Sequence, residues 1–386
     1  MKNMKVDNRI KVLEVLVGAS GLYGGVEQFV FENIKRFDER MDVDILFGNI
    51  KAKESQQTAD IYDKFRVFEL KTYNGKIFGA LNTYKQLDEY LKKNNYDIIH
   101  VNTGSITFEM ICMLGAKKNN ISVRIAHSHS GKTDYSLLKK IYFKITRKIV
   151  WHYSTDRLAC SQSAAMKLFG RVDGVEIIKN AVDISVYEFN IEKRNELRKK
   201  EGIGDDTLVL ISVGNLQKIK NYKFMLEIIS IIHKKRTDCK LWIIGDGDEK
   251  NELKKTIKDL NIEHYVTLWG TRNNVGELLQ AADIYICTSF SEGLSMSIVE
   301  AQAAGLKVVA SDSISKEHSV TNLINYLSLN EKSSYWADSI LSLYDSGDVR
   351  CAHSQELIEE HYDIDYSSRW LQTFYINKIK RKEENA

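Results

Sequence analysis

The sequence predicts an α/β protein built from two Rossmann-like, doubly wound domains that face each other across a cleft. Apolar runs of strand length alternate with amphipathic helical stretches along the whole chain, which is typical of stacked βαβ units and a parallel sheet. The chain has 386 residues, whereas single domains mostly stay below about 200 residues. The strand pattern stops once, near the middle, which indicates a boundary between two halves.

Each half contains its own series of strand-like runs, and each run is followed by a helical or turn segment. The first half contains IKVLEVLVG, VDILFG, YDIIHVN, VRIAHS, RLACS and VEII. The second half contains TLVLISVG, KLWIIGDG, YVTLWG, DIYICTS and LKVVAS. Each series predicts one parallel sheet covered by helices.

The domain boundary falls where strand periodicity gives way to a charged helix. This happens between Asp183 and Phe189, within NAVDISVYEFNIEKRNELRKKEGIG. We therefore expect a first domain over 1–185 and a second domain over 186–352. Residues 353–386 are expected to form a helical tail that could pack back on the first domain.

Composition limits the class of protein. Hydrophobic residues make up 43% and charged residues 28%, which is the balance of a globular protein. The N-terminus lacks an apolar leader, and no uncharged apolar run reaches the roughly 20 residues that a bilayer requires. The five cysteines are odd in number and include no CxxC pair, which predicts reduced thiols. These features predict a cytoplasmic protein, and the net charge of +3 favours no class of partner.

The most informative segment of the second half is FSEGLSMSIVEAQAAGLKVVASD. It places Glu292 in a loop after a predicted strand and Glu300 inside the following helix, with seven residues between them. Carboxylates at this edge of a sheet can accept hydrogen bonds from sugar hydroxyls, and the helix N-terminus favours an anionic phosphate. The alternative is that both glutamates are simply exposed surface residues, as most charged residues are.

These residues resemble the signature of retaining glycosyltransferase family 4, which has the GT-B fold. The resemblance implies that Glu292 contacts the donor sugar and Glu300 the nucleotide ribose. VGNLQKIKN, from Val213 to Asn221, is similar to the segment of the family that places a lysine, here Lys220, on the donor diphosphate. The resemblance further implies donor contacts at Gly214, Asn215, Gly270, Thr271, Arg272, Gly293, Leu294 and Ser295.

The sequence departs from the family pattern at Asn215, where an arginine usually pairs with the diphosphate. A neutral amide cannot supply that charge, so Lys220 and the nearby Lys218 remain as side-chain cations. Ser295 and Lys307 stand where relatives often have proline, in a chain that contains none. Either a proline-poor lineage or deliberate removal explains this absence, and we favour removal.

In the first half, a glycine-rich turn and a histidine loop are the candidate ligand-binding features. Gly24 and Gly25 permit close approach of a ligand to the backbone, and they resemble the loop of the family that borders acceptor and donor sugar. His127 and His129 follow a predicted strand, where a histidine can contact a sugar or a phosphate. The resemblance favours His127, whereas a lone histidine is more often structural. No third ligand accompanies this pair, and GT-B enzymes generally need no metal, so we expect no metal or other cofactor.

Residues 136–153 form a basic, aromatic segment that predicts an amphipathic helix. Such a helix can rest on an anionic membrane surface or can simply cover the sheet. The first alternative predicts peripheral contact with the inner face of a membrane and a lipid-linked saccharide as acceptor. No motif for nucleic-acid binding accompanies the basic residues.

The resemblance implies a retaining transfer from a nucleoside-diphosphate sugar, with a UDP-sugar favoured, to a saccharide or lipid-linked acceptor in surface polysaccharide biosynthesis. The first domain would then bind the acceptor and the second the donor. Asn215 leaves open a catalytically impaired homologue or partner subunit. A GT-B nucleotide-sugar epimerase is a further alternative, and an NAD-dependent oxidoreductase is more remote.

Overall fold

The computed structural model describes residues 9–16, 25–48, 61–70, 76–129 and 137–384. Contacts divide the chain into two compact units. The first unit contains the described residues up to Ala181 together with those from Ile364 onward, and the second unit is Val182–Asp363.

The first unit is built on a parallel sheet with the strand order β3-β2-β1-β4-β5-β6-β7. Its strands are β1 (Ile10–Leu16), β2 (Met41–Phe47), β3 (Arg66–Glu69), β4 (Ile98–Thr103), β5 (Val123–Ser128), β6 (Asp156–Ala159) and β7 (Glu176–Ile177). The strand order reverses between β1 and β4, which makes this pair the topological switch point of a Rossmann-like sheet.

The second unit repeats this topology, with the order β10-β9-β8-β11-β12-β13 and parallel pairing. Its strands are β8 (Leu208–Val213), β9 (Cys239–Ile244), β10 (Val266–Gly270), β11 (Ile284–Cys287), β12 (Lys307–Ser311) and β13 (Ile324–Leu327). Its switch point lies between β8 and β11.

Helices follow most of these strands. Those of the first unit are α1 (Gly25–Ile34), α2 (Lys76–Lys93), α3 (Ile106–Lys118), α4 (Leu137–Tyr153), α5 (Gln162–Phe169) and α14 (Ile364–Glu383). Those of the second are α6 (Ile184–Tyr187), α7 (Ile191–Lys200), α8 (Tyr222–Lys235), α9 (Lys250–Asp259), α10 (Val275–Ala281), α11 (Met296–Ala303), α12 (Ser333–Asp345) and α13 (Ser354–Glu359). A 3₁₀ turn, Lys218–Lys220, precedes α8.

Local sequence explains several of these boundaries. Serine oxygens accept hydrogen bonds from backbone N–H groups at two helix starts, Ser105 before α3 and Ser161 before α5. Helix α5 ends at Gly170, whose φ of 74° is left-handed and therefore favours glycine. Strand β4 is buried along its whole length, as expected for a central strand covered on both faces.

The C-terminal residues divide between the two units. Leu357 and Tyr362 are fully buried in the core of the second unit, and the backbone N–H of Val182 donates to the carbonyl of Tyr362 at 2.9 Å. Helix α13 therefore belongs to the second unit rather than to the tail expected from residue 353. Helix α14 packs with α1 in the first unit, where Tyr375 is fully buried. None of the described helices combines the length and apolarity needed to cross a membrane.

Candidate functional site

Two loops that carry predicted donor residues meet at the switch point of the second sheet. Lys220 lies in the 3₁₀ turn after β8, and Glu292 lies in the loop after β11. Ligands of open α/β sheets bind outside the carboxyl ends of the strands at this position. The topology therefore places both residues where a ligand is expected.

Hydrogen bonds fasten the two loops to each other. The backbone N–H of Phe290 donates to the carbonyl of Ile219 at 2.8 Å, and the hydroxyl of Thr288 lies 3.0 Å from the carbonyl of Asn221. Asn221 has a φ of 55°, in the left-handed region that asparagine tolerates better than most residues. This conformation ends the 3₁₀ turn and starts α8, so the position of Lys220 is fixed by backbone contacts.

Lys220 and Glu292 form a partly buried ion pair, with 2.9 Å between Nζ and Oε2. The other oxygen, Oε1, accepts hydrogen bonds from the hydroxyl of Ser289 and, at 3.2 Å, from the thiol of Cys287. Burial by itself raises the pKa of Glu292, but the charge of Lys220 and hydrogen bonds from neighbouring side chains outweigh it and lower the pKa to about 2. Glu292 is therefore ionised at neutral pH and acts only as a hydrogen-bond acceptor.

Gly214 lies directly beneath the lysine. A Cβ added at this residue would lie 3.2 Å from Nζ of Lys220 and 3.3 Å from the hydroxyl of Tyr222. That hydroxyl donates to the carbonyl of Gly214 at 3.1 Å. Both the ammonium group and the phenol thus use space that a side chain would fill, which explains glycine here.

Helix α11 begins directly after the glutamate loop. Ser295 is buried immediately before the helix, and Gly293 and Leu294 are partly buried. The hydroxyl of Tyr285, on β11, donates to the hydroxyl of Ser297 at 2.8 Å. Glu300 lies inside the helix and is only 6% exposed, so it is not the solvated surface residue of the alternative interpretation.

The remaining predicted donor residues lie at the ends of neighbouring strands. Gly270 ends β10 with a φ of 69°, and its carbonyl accepts from the N–H of Gly245 at 2.9 Å. Thr271 and Arg272 follow and are exposed, and the guanidinium of Arg272 lies 4.9 Å from the ring centre of Trp269. Asn215, also exposed, stands at the end of β8.

The switch point of the first sheet holds a buried polar network around one carboxylate. Oε1 of Glu14, on β1, accepts from the hydroxyl of Tyr375 at 2.6 Å and lies 3.3 Å from Nδ1 of His100, on β4. Oε2 accepts from the amide of Asn102 at 2.7 Å. All four side chains are essentially inaccessible to solvent.

The predicted histidines extend this network. Nδ1 of His127 lies 3.0 Å from Nε2 of His100, and Nε2 of His129 lies 2.9 Å from the amide oxygen of Asn102. The rings of His127 and His129 have their centres 3.9 Å apart. Burial first, and then the neighbouring histidines, hold the pKa of His127 well below its usual value, so the ring is neutral. Its Nε2 is buried and has no hydrogen-bond partner among the described residues.

A second carboxyl lies close to the histidines. Glu109, on α3, is fully buried and accepts a hydrogen bond from the hydroxyl of Thr103 at 3.0 Å. Burial raises its pKa well above the usual value of 4.5. The first unit therefore holds this carboxyl in its neutral form.

Two predictions for the first half remain without structural description or test. Gly25 is the first residue of α1, whereas Gly24 lies outside the described residues. Within the described part of the chain, no three His, Cys, Asp or Glu side chains are grouped as metal ligands. That the activity needs no metal stays a prediction.

The partners that orient the predicted residues could not be identified from the sequence. Nothing in the sequence singles out Ser289, because a serine three residues before a glutamate is common in any loop. His100, Glu14 and Tyr375 could not be grouped from the sequence because they are far apart along the chain, with Glu14 and Tyr375 separated by 361 positions. A polar residue inside an otherwise apolar strand, such as Glu14 in IKVLEVL, was the one available signal.

Family models match both units. The model described as "Glycosyltransferase Family 4" matches residues 23–186, and the model described as "Glycosyl transferases group 1" matches residues 193–361. The chain belongs to these glycosyltransferases. It is thus a transferase, and its two matched segments fall on the two halves of the sequence.

This glycosyltransferase is similar to two curated relatives along most of its length. It is 26% identical over 347 residues to the putative glycosyltransferase EpsF of Bacillus subtilis, covering 86% of each chain. It is also 26% identical over 322 residues to a UDP-Gal:α-D-GlcNAc-diphosphoundecaprenol α-1,3-galactosyltransferase of Escherichia coli, covering 79% of this chain and 80% of that one.

Solved structures show the same fold. HepE of Anabaena, in complex with UDP, superposes with a TM-score of 0.77 at 17% identity, over 95% of this chain and 100% of that one. WaaG, a glycosyltransferase involved in lipopolysaccharide biosynthesis, superposes with a TM-score of 0.67 at 14% identity, over 95% of this chain and 99% of that one. The glycosyltransferase therefore has the predicted GT-B fold, with one parallel α/β sheet in each unit.

Proposed function

We propose that this glycosyltransferase moves a sugar from a nucleoside-diphosphate sugar, with UDP as the favoured nucleotide, to a hydroxyl of a saccharide or lipid-linked acceptor, with retention of anomeric configuration. The pathway would be the assembly of a surface polysaccharide. The observation that carries the proposal is the ion pair of Lys220 and Glu292, held at the switch point of the second sheet directly before α11.

Each member of the site has a separate role in this proposal. Lys220 and the backbone N–H groups at the start of α11 would bind the diphosphate and stabilise the charge that develops as it leaves. Glu292, as an ionised acceptor, would bind hydroxyls of the donor sugar, and Glu300 would bind the ribose. When the donor binds, the ammonium group of Lys220 would interact with the diphosphate as well as with Glu292.

The chemistry proposed is attack by the acceptor hydroxyl on the same face from which the diphosphate departs. Both oxygens of Glu292 are already engaged, one by Lys220 and the other by Ser289 and Cys287. We therefore do not assign Glu292 as a covalent nucleophile. Lys220 supplies positive charge at the diphosphate, a task that a metal ion performs in other enzymes.

The relatives support the favoured nucleotide and acceptor. HepE was solved with UDP and with UDP-glucose, and the E. coli relative acts on a diphosphoundecaprenol-linked sugar. In the present chain, α4 exposes Ile141, Tyr142 and Ile145, each at least 44% accessible, beside the exposed Lys144 and Lys148. An apolar face flanked by lysines suits an anionic membrane surface, where a lipid-linked acceptor would be found.

A thermal-shift screen tests the donor assignment. Nucleoside-diphosphate sugars that differ in base and sugar are added one at a time, because only a ligand that prefers the native state raises the melting temperature. We expect a UDP-sugar to give the largest shift. The best donor is then incubated with an undecaprenyl-diphosphate sugar, and the product linkage is determined by NMR. A product of inverted configuration, or a donor that is only epimerised, would contradict the proposal.

Asn215 supports a second candidate function, a homologue that binds the donor but turns it over poorly. This side chain is exposed at the end of β8 and carries no charge where relatives usually have an arginine. Assays of the wild type and Asn215→Arg separate the two candidates. UDP binding by both without transfer by either would favour the second.

A further inference from the structure

The buried network of the first unit fixes the positions of protons on two histidines. As a carboxylate, Glu14 can only accept hydrogen bonds. Its Oε1 accepts a hydrogen bond from the hydroxyl of Tyr375 at 2.6 Å, which uses the only hydroxyl proton of that residue. Its Oε2 accepts a hydrogen bond from the amide of Asn102 at 2.7 Å. The phenol oxygen of Tyr375 therefore has only lone pairs to offer to any other neighbour.

His100 must turn a proton toward these two acceptors. Its Nδ1 lies 2.5 Å from the hydroxyl oxygen of Tyr375 and 3.3 Å from Oε1 of Glu14. Two acceptors face this nitrogen, so it carries a hydrogen. A neutral imidazole has only one N–H. Nε2 of His100 then carries no hydrogen and has a lone pair that can accept a hydrogen bond.

The proton of His127 is located in the same way. Its Nδ1 lies 3.0 Å from that lone pair, so it donates the one ring proton to His100. The two rings are parallel within 3°, with centres 5.1 Å apart, and both are fully buried. Nε2 of His127 is left without a proton, buried, and without a hydrogen-bond partner among the described residues.

We infer that Glu14, Tyr375 and His100 are positioning residues that present Nε2 of His127 as a hydrogen-bond acceptor, and that its ligand is a hydroxyl of the sugar substrates rather than a phosphate. The inference rests on the proposed function, because it takes His127 to face a sugar. A ring nitrogen without a proton repels an anionic phosphate oxygen, but it accepts a hydrogen bond from a hydroxyl group. Tyr375 lies on α14, so the last helix of the chain contributes to the site.

The test is ¹⁵N NMR of the full chain with labelled histidine, at about pH 8, where a ring has one proton. Signals of His127 are assigned by their loss in His127→Asn. We expect a protonated Nδ1 and an unprotonated Nε2 on His127 in the wild type. A protonated Nε2 on that ring would overturn the inference directly, without any assay of activity.

A substitution of the carboxylate should reverse the order of protons. In Glu14→Gln, the amide oxygen accepts from Asn102 while the NH₂ group faces His100, so each ring takes the other tautomer. The expected signature is a new protonated Nε2 on His127. The matched control is Asp44→Asn, which also neutralises a buried carboxylate bonded to a tyrosine, Tyr96, in this unit. The control should leave the His127 signals in place, and equal changes in both variants would overturn the inference.

Tyr375→Phe provides a second variant if Glu14→Gln fails to fold. Once a donor is known, this change should lower kcat/KM roughly tenfold, as changes to groups that orient a functional histidine do, while Tyr96→Phe should not. Equal activity of the two variants would overturn the positioning role. Failure of the proposed function is recognised separately, as the absence of any thermal shift with nucleotide sugars.

Discussion

At the switch point of the second sheet lies an ion pair, Lys220 and Glu292, whereas at the switch point of the first sheet lies a buried network of histidines and amides around Glu14. The lysine and glutamate remain 21% and 11% exposed, but His127 is fully buried. The same topological position is thus used in two electrostatic ways.

The difference follows from what each unit is proposed to bind. A diphosphate requires positive charge, and a lysine near solvent supplies it at modest desolvation cost. A sugar hydroxyl requires only a lone pair in a fixed direction, which a buried neutral imidazole provides without an ion. Removing a charged side chain should therefore reduce activity most when the residue lies in the site of the second unit.

Lys220→Ala should give the largest effect. Removal of one charged group that stabilises a leaving diphosphate costs on the order of 10² to 10³ in kcat/KM. The measurement is release of UDP from the best donor. The control is Lys223→Ala, which removes an exposed ion pair with Glu252 from α8. An effect of Lys220→Ala no larger than that of the control would remove Lys220 from the site.

Glu300→Ala should weaken binding of the nucleotide about tenfold or more, because the ribose hydroxyls would lose their hydrogen bonds to this buried carboxylate. Isothermal titration with UDP measures this loss. Glu277→Ala, an exposed glutamate on α10, is the control. Unchanged affinity in a folded Glu300→Ala protein would show that the ribose lies elsewhere.

Stability should respond to pH in opposite directions at the buried carboxyls of the two units. The folded pKa of Glu292 is lowered to about 2, so its stabilising contribution is complete above the usual value of 4.5 and is lost as the pH falls toward 2. The folded pKa of Glu109 is raised, so the folded state keeps a proton that the unfolded chain releases above 4.5. Its contribution to the free energy of unfolding therefore declines as the pH rises.

Chemical unfolding of two neutral variants measures this contrast. Glu292→Gln should lower the free energy of unfolding by on the order of 2 kcal/mol at neutral pH and by much less near pH 3. Glu109→Gln should become more stable relative to the wild type as the pH rises from about 4 to 7. Parallel pH profiles for the two variants would mean that the units do not differ in this way.

The basic face of α4 should affect membrane binding and not the transfer chemistry. The double variant Lys144→Gln and Lys148→Gln should bind vesicles containing phosphatidylglycerol several-fold less well, at about 1 kcal/mol or less per lysine. Sedimentation with vesicles measures the difference, and added salt should reduce it. Lys254→Gln with Lys255→Gln, on the exposed face of α9, is the control. Equal binding by both double variants would leave α4 as an ordinary covering helix.

Asn215→Arg should give the smallest change, and in the opposite direction. A guanidinium restored at the end of β8 should raise kcat/KM a few-fold, because a second cation adds to an existing one. UDP release measures the gain. A fall in activity would indicate that the site of this chain is built for an amide at residue 215.

Most strands could be predicted from the sequence, including the edge strands β7 and β10, but the edge strands β3 and β13 could not. Each apolar run named above corresponds to a strand, from β1 to β12, whereas β3 and β13 were not predicted. Both are four-residue edge strands, RVFE and INYL, and neither contains a buried residue. A strand that buries little surface leaves no apolar run in the sequence, so its pairing depends on its neighbour.

The sequence by itself determined the two halves and the motif residues Lys220, Glu292 and Glu300, because strand periodicity and a motif within one loop are local properties of the chain. Only the tertiary structure decided what those residues touch. The ion pair joins residues from two loops, and the path from Tyr375 through Glu14 and His100 to His127 joins four separate elements. Parallel sheets bring together strands and helices that are far apart in sequence, so His100 contacts Tyr375, which lies 275 positions further along the chain.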